Sequence, residues 1–180
     1  MRLRLLAYLI LVASLTTSVE AQTTLTVQDT SSIVVNGKSN QSDWSVTANE
    51  FAGSFVVEDD IPVSGSLVIT VKEIKSGRSL IMDRLMHGAF NTEEYEEIAF
   101  NLDTAELVGE GVWMMSGTLD MTGATNPVQI ELVKAEGLSH YSGSYELKMS
   151  DYDMKAPTAM FGALITKDDV EIVFDLFLGE

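Results

Sequence analysis

The chain has 180 residues, no cysteine, and 27 acidic against 11 basic side chains, which gives a formal net charge of −16. The lack of cysteine excludes disulfide bonds and thiolate metal sites. The excess of negative charge argues against binding to nucleic acid and to anionic membrane surfaces, because both would repel the protein.

The first residues have the pattern of a secretory signal peptide. Two arginines precede an apolar run over residues 5–13, and small residues lead to a predicted cleavage before Gln22. This run is shorter than the roughly 20 residues of a membrane-spanning helix, which disfavours a membrane anchor. We therefore predict a signal peptide over residues 1–21, one domain over residues 22–180, no integral membrane span, and a periplasmic or secreted location.

Apolar residues then alternate with polar ones, which is the pattern of strands with one buried face. Strands are predicted over residues 25–27, 33–35, 44–46, 51–57 and 67–71. Turns are predicted at Asn36-Gly37, a dipeptide that favours positive φ in hairpins, and over Glu58–Asp60 with Ser64-Gly65. The last of these strands should end at Lys75-Ser76-Gly77.

One segment has helical spacing. Apolar residues recur at steps of three and four between Ser79 and Phe90, which predicts a single short helix there. Further strands are predicted over residues 98–102, 112–121, 128–132, 146–150 and 170–178. Turns should lie near residues 109–111 and 123–126, an irregular stretch over 151–164, and Lys167-Asp168-Asp169 should introduce the final strand.

About eight strands and one helix predict an all-β protein with one antiparallel sheet that must curl or close to hide its apolar face. A closed sheet of about eight strands is either filled by its own side chains or holds one slender ligand. Eight methionines follow Met1, and their adaptable thioethers suit an irregular apolar guest.

Residues that could carry chemistry are few. His87 and His140 lie in different predicted elements without a second ligand at metal spacing, so we interpret both as surface or rim residues. The acidic run over residues 93–97 lacks the alternating spacing of a calcium loop and is interpreted as a solvated turn. Without a nucleophile elbow or a phosphate or dinucleotide loop, we expect no catalytic residue, metal or cofactor.

Five segments together carry a family resemblance, in order and in spacing. They are Gly37–Trp44, Ile74–Asp83, Tyr95–Phe100, Gly117–Val128 and Asp151–Gly162. On these segments, which span almost all of the chain after the signal peptide, the sequence resembles the YceI-like family of exported bacterial proteins.

The resemblance implies a lipocalin-like, antiparallel β-barrel whose tunnel takes a long isoprenoid chain, such as a polyprenyl or quinone tail. It also implies a non-catalytic carrier of amphiphiles in the periplasm. The sequence departs from the family pattern at Ser42, where the family often has histidine, and at Glu96, where it commonly has proline. The first departure questions any contact made through that histidine, and the second affects the local turn.

If the protein is such a carrier, the apolar face of each strand should line the tunnel. This predicts a lining of Phe51, Phe55, Ile69, Ile98, Phe100, Trp113, Met115, Leu119, Ile130, Phe174 and Leu176. A register shift of one residue would reverse the set on that strand. The acidic surface further predicts a ligand with a neutral head group.

Two other interpretations stay open, and an enzyme is the least favoured. A barrel with a packed core would serve structure or protein interaction. Assembly into a homodimer stays open as well. An outer-membrane barrel also shows alternation, with its apolar face outward, but a helix in mid-chain and the lack of a terminal aromatic residue oppose it.

Overall fold

A computed structural model describes residues 22–78, 80–135 and 139–180, so the predicted signal peptide and Ser79 lie outside the described residues. These residues form twelve strands and one α-helix, α1 (Leu80–Phe90). The strands are β1 (Thr23–Val27), β2 (Ser32–Ser39), β3 (Asp43–Ala48), β4 (Phe51–Glu58), β5 (Ile61–Thr70), β6 (Ile74–Lys75), β7 (Glu97–Gly109), β8 (Val112–Met121), β9 (Ala124–Lys134), β10 (His140–Lys148), β11 (Thr158–Ala159) and β12 (Leu164–Gly179).

Eight of the strands close into an antiparallel barrel. The ring runs β1-β4-β5-β7-β8-β9-β10-β12 and returns to β1 through pairs such as Val27 with Leu178. β2, β3 and β6 branch from β12 and lengthen one end of the wall, and β11 pairs only with the start of β12. The predicted all-β barrel of about eight strands with one helix is confirmed.

The core lies inside the ring because each strand turns its apolar face inward. In β8, Met115, Leu119 and Met121 are buried, whereas Ser116, Thr118 and Asp120 between them are more exposed. This two-residue period follows from strand geometry, in which neighbouring side chains point to opposite faces.

The turn predicted at Asn36-Gly37 is wrong. Both residues lie within β2, and Gly37 pairs directly with Trp44 of β3. A Cβ atom on Gly37 would lie 2.1 Å from Cζ2 of the Trp44 ring, so the glycine makes room for the indole. The chain turns at residues 40–42, where the Ser39 hydroxyl donates to the Ser42 carbonyl at 2.8 Å.

The Ser64-Gly65 part of the second predicted turn is also wrong. These residues lie within β5, and Gly65 is placed opposite Phe55, where a Cβ would meet the phenyl ring at 2.6 Å. The hairpin turn itself is Asp59-Asp60, and both residues have the positive φ angles, 47° and 64°, that a two-residue hairpin loop needs.

Strands near the end of the chain are longer than predicted. β12 begins at Leu164 rather than near Val170, and its pairing with β2 shifts register between Thr166 and Val170. The charged residues 167–169, which predicted a strand start, therefore mark a bulge within the strand. β10 begins at His140, six residues before the predicted start.

The helix matches its prediction and packs at the edge of the core, since none of its residues is fully buried but Met86, Ala89 and Phe90 contact the core half-buried. Its connection to β6 is fixed by Asp83, which accepts hydrogen bonds from the backbone N–H of Ser76 at 2.8 Å and from its hydroxyl at 2.6 Å. These bonds lower the pKa of the Asp83 carboxyl. Among the described residues, no helix has the length and hydrophobicity to cross a bilayer.

Candidate ligand-binding cavity

The barrel encloses a cavity of about 420 Å³. Its wall is mainly aliphatic, aromatic and methionine side chains from the inward faces of the strands, with a few serine, threonine and tyrosine hydroxyls. The volume falls in the range of about 300–1,000 Å³ typical of small-molecule sites, which combine an apolar wall with few polar groups.

The structure places nine of the eleven predicted lining residues on the cavity wall. They are Phe55, Ile69, Ile98, Phe100, Met115, Leu119, Ile130, Phe174 and Leu176. The other two, Phe51 and Trp113, are half-buried and pack against the core but do not border the cavity. Both lie on the expected face of their strands, so alternation predicts the face of a residue and not its depth along the barrel.

Sequence reasoning missed the wall contributed outside the long strands. From α1, Leu85, Met86 and Phe90 border the cavity, and Met149 and Met154 border it from the segment after β10. The helical spacing of the sequence could have indicated that Leu85, Met86 and Phe90 share the inward face of α1. Six of the eight methionines after Met1 lie on the wall, as expected for adaptable side chains around an irregular space.

One end of the cavity is bordered by polar and irregular chain. We call this end the mouth and define it as residues 39–42, 76–78, 80–82 and 157–166. Those of its residues that border the cavity are Ser39, Ser42, Ser76, Arg78, Met82, Pro157, Thr158, Leu164 and Thr166. Two of its segments are joined, because the Asn40 side-chain amide donates to the Ala163 carbonyl at 3.0 Å.

The opposite end carries the hairpin turns between β4 and β5 and between β7 and β8. We call it the far end, formed by residues 58–61, 105–113, 131–134 and 176–180. Tyr141, only 1% exposed, crosses beneath these turns and donates its hydroxyl to the Asp60 carbonyl at 2.8 Å. Burial raises the pKa of Tyr141 to about 12, so the phenol stays neutral and keeps donating.

A second buried tyrosine lies beside the turn between β8 and β9. Tyr152 ends a short 3-10 turn, Met149–Tyr152, and its backbone carbonyl accepts a hydrogen bond from the Thr122 hydroxyl. Burial raises the pKa of Tyr152 to about 12 as well. Met149 of this turn and Met154 just after it are buried and border the cavity.

Two side chains near the mouth are hydrogen-bond donors only, Trp44 and Arg78. The indole N–H of Trp44 is buried and has no hydrogen-bond partner among the described residues, although the ring borders the cavity. A buried N–H without a partner costs about 1–3 kcal/mol. Arg78 is the one charged side chain among the described residues on the cavity wall.

The histidines lie apart from one another. His87 Nε2 is 3.1 Å from the Ile74 carbonyl, and His140 stacks on Phe177 with ring centroids 4.2 Å apart and contacts Asp175. Within residues 22–78, 80–135 and 139–180, no three His, Asp or Glu side chains are grouped as metal ligands. The acidic run 93–97 includes the turn after α1, where Asn91 bonds to Glu94 at 2.7 Å.

Comparison with models of known protein families shows which family this chain belongs to. The YceI-like domain model matches residues 15–178. The chain belongs to the YceI-like family. The resemblance seen in the sequence is thereby confirmed, and no curated protein matches the chain.

Several solved structures share the fold at low sequence identity. Burkholderia cenocepacia BcnA aligns with a TM-score of 0.73 at 17% identity, over 83% of this chain and 96% of its own. A polyisoprenoid binding domain from Saccharophagus degradans aligns with a TM-score of 0.67 at 16% identity, over 88% and 98%. The YceI protein of Campylobacter jejuni aligns with a TM-score of 0.59 at 15% identity, over 80% and 84%.

Proposed function

We propose that this YceI-like protein is an exported, non-catalytic carrier that holds a long isoprenoid-type lipid, such as a polyprenyl or quinone tail, inside its barrel. The observation that carries the proposal is the 420 Å³ apolar cavity inside a closed ring of strands. The structural likeness to a domain described as polyisoprenoid-binding supports the same class of ligand.

An apolar tail gains affinity here in proportion to the length that leaves water. Each buried methylene contributes about 0.8 kcal/mol, and a tail needs no directional partner along a wall such as that of Phe100, Leu119 and Phe174. A branched, flexible isoprenoid also suits the methionine-rich part of the wall, because thioether side chains adapt to irregular shapes.

The polar end of the ligand belongs at the mouth. Trp44 Nε1 and Arg78 are donors, and no carboxylate borders the cavity among the described residues. We propose that these donors meet an oxygen acceptor on the head group. The neutral head predicted from net charge is therefore not required, because the charge nearest the cavity is positive even though the sum over the chain is negative.

A barrel with a packed core and no ligand is the alternative. Ligand uptake separates the two functions, and Ile130 with Gln129 offers a matched pair for the test. The two residues are neighbours on β9, with Ile130 on the cavity wall and Gln129 exposed outside. Ile130→Trp should fill part of the cavity, whereas Gln129→Trp adds the same group to the outer surface.

The assay measures uptake of Nile red and its displacement by a polyprenol. We expect uptake by the wild type and by Gln129→Trp, and at least about tenfold weaker uptake by Ile130→Trp, since two or three methylene equivalents of contact are lost. Ile130→Phe serves if the larger ring prevents folding. Folded wild type that excludes both probe and polyprenol, and yields no lipid on organic extraction, would support the packed barrel instead.

The periplasmic or secreted location is proposed from residues 1–21. Export with cleavage should leave Gln22 as the first residue, so the N-terminal sequence of protein recovered from the periplasm or medium tests it. An intact N-terminus in a cytoplasmic fraction would contradict this proposal without affecting the cavity.

A further inference from the structure

Large apolar side chains are exposed around the mouth. Phe161 is fully exposed, Leu80 and Ile81 are 75% and 69% exposed, and Ile165 is 50% exposed. They come from two segments, the first turn of α1 and residues 161–165 at the start of β12, and Met82 and Leu164 of these segments border the cavity. These four exposed side chains therefore flank the entrance.

The exposed Phe161 lies on a turn with an unusual backbone conformation. Its φ of 55° lies in the left-handed region, which bulky residues rarely adopt. The turn that carries it is tied to the turn between β2 and β3, because the Asn40 N–H donates to the Ile165 carbonyl at 3.0 Å and its side chain donates to the Ala163 carbonyl. Phe161 is the largest of the described non-glycine residues with positive φ, and a costly conformation of this kind points to a role for the exposed ring.

The charge of the mouth is opposite to that of the molecule. Mouth residues and those within two positions of them include six of the nine basic residues after residue 21, and three acidic ones. The described residues of the far end, extended in the same way, include one basic and nine acidic residues. The net charge that predicted repulsion from anionic surfaces thus lies mainly away from the entrance.

We infer that the mouth docks on the surface of an anionic lipid bilayer, with Leu80, Ile81, Phe161 and Ile165 entering the interface and the basic residues facing the head groups. Apolar side chains beside basic ones are the combination that binds proteins to such interfaces. Docked in this way, the entrance faces the hydrocarbon, so a lipid can pass between bilayer and cavity without crossing water. This docking goes beyond the proposed carrier function. It rests on that function only for the reason why the protein would bind a bilayer, which is to load or release a lipid.

The far end supplies a matched control. Leu107 and Val108 are also exposed, at 62% and 55%, but they lie among acidic residues. Exposed apolar area alone would let both ends bind a bilayer, whereas the proposal requires binding through the mouth. The two double variants are Leu80→Ser/Ile81→Ser at the mouth and Leu107→Ser/Val108→Ser at the far end. Each replaces two exposed aliphatic side chains by serine, so they differ only in which end of the barrel is changed.

The test is cosedimentation of the purified protein with vesicles of phosphatidylcholine containing phosphatidylglycerol. We expect the mouth variant to bind at least about tenfold more weakly than wild type, and the far-end variant to bind within about twofold of it. Arg78→Gln or Lys155→Gln should each weaken binding about fivefold, and high salt or pure phosphatidylcholine should do the same. Equal losses in the two double variants, or no vesicle binding by folded wild type, would overturn the proposal.

A depth measurement tests orientation independently. With Trp44 and Trp113 both changed to Phe, a single tryptophan at Phe161→Trp should be quenched by brominated lipid, and one at Leu107→Trp should not. Ile130→Trp, which blocks the cavity, should still bind vesicles as wild type does. For the wild type, vesicle binding without uptake of Nile red or polyprenol would contradict the carrier function and leave the docking, whereas uptake without vesicle binding would contradict the docking and leave the carrier function.

Discussion

The mouth and the far end are built on the same antiparallel strands, yet they differ in packing and in charge. Beneath the far end, Tyr141 and Leu132 are buried at 1% and 5% exposure, and a tyrosine hydroxyl ties the core to a hairpin turn. At the mouth, α1 has no buried residue and the neighbouring turns expose aromatic and aliphatic groups.

This difference shows how one barrel can be both stable and accessible. Local opening costs least where few apolar contacts are buried, and most where the core is complete. A carrier needs a low-cost opening at its entrance, and it can have one only if the rest of the barrel supplies the stability.

The largest expected effect comes from the core near the far end. Leu132→Ala should lower the free energy of unfolding by about 2–5 kcal/mol, because a buried leucine leaves a cavity that the strands cannot close. Leu85→Ala on α1 should cost about 1 kcal/mol or less, since that side chain is only half-buried, whereas Leu132 is buried although both border the cavity. Urea unfolding of both variants measures the contrast, and equal losses would show that the helix is part of the rigid core.

The closed barrel and most residues of its cavity wall were predictable from the sequence because both follow from the alternation of apolar and polar residues. Alternation over β8, β9 and β12 repeats over enough residues to define which face is buried, and burial is what closes the sheet. The position of a residue along the barrel axis is not encoded in that period, so Trp113 has the right face but lies off the cavity wall.

Close contacts between strands were the part that the sequence could not reveal. Asn36-Gly37 has the composition of a hairpin turn, but this glycine is required by the ring of Trp44 on the neighbouring strand. The mouth depends on such long-range contacts too. The pairing of the Asn40 turn with Ala163 joins segments over 120 residues apart, and no local pattern predicts it.

The Gly37 contact gives the next effect in size. Gly37→Ala should cost about 1–3 kcal/mol, because the new methyl group displaces the Trp44 ring from its place over the strand. The ring borders the cavity near the mouth, so the substitution should also change tryptophan fluorescence and weaken lipid uptake. A Trp113→Phe background isolates the Trp44 signal, and an unchanged spectrum with unchanged stability would contradict this packing.

A smaller effect with a distinct pH dependence is expected at the far end. Tyr141→Phe removes the hydrogen bond to the Asp60 carbonyl and should cost about 1 kcal/mol at neutral pH. The ordinary tyrosine pKa is about 10, and the folded value of about 12 is higher. The folded state therefore keeps its proton longer than the unfolded chain, so wild-type stability falls as pH rises from 10 to 12.

The variant lacks the titrating group at position 141, so its stability should fall less steeply over the same range, with the other tyrosines of raised pKa, Tyr152, Tyr145 and Tyr95, contributing to the remaining slope. The gap between the two proteins should narrow above pH 10. Chemical unfolding at several alkaline pH values measures it, and a constant gap up to pH 12 would show that Tyr141 is not held neutral by burial.

The smallest expected changes in stability come from replacing one glycine at each end of the barrel by alanine. Gly88 is an exposed position within α1, and Gly111 lies in the far-end turn, and a Cβ atom at either would meet nothing within 4 Å. Gly88→Ala should stabilise by about 0.5–1 kcal/mol, because alanine restricts the unfolded chain and favours the helix. Gly111→Ala should instead destabilise by about 1 kcal/mol, because its φ of 70° lies in the left-handed region.

Hydrogen exchange shows where the Gly88→Ala effect acts. If the helix opens separately from the barrel, Gly88→Ala should slow exchange of the α1 amides about two- to fivefold and leave the β8 and β9 amides unchanged. Release of bound lipid should slow with it, because opening at the mouth limits exit. Slower exchange throughout the barrel would mean instead that helix and strands open together, and the two ends of the molecule would then be one cooperative unit.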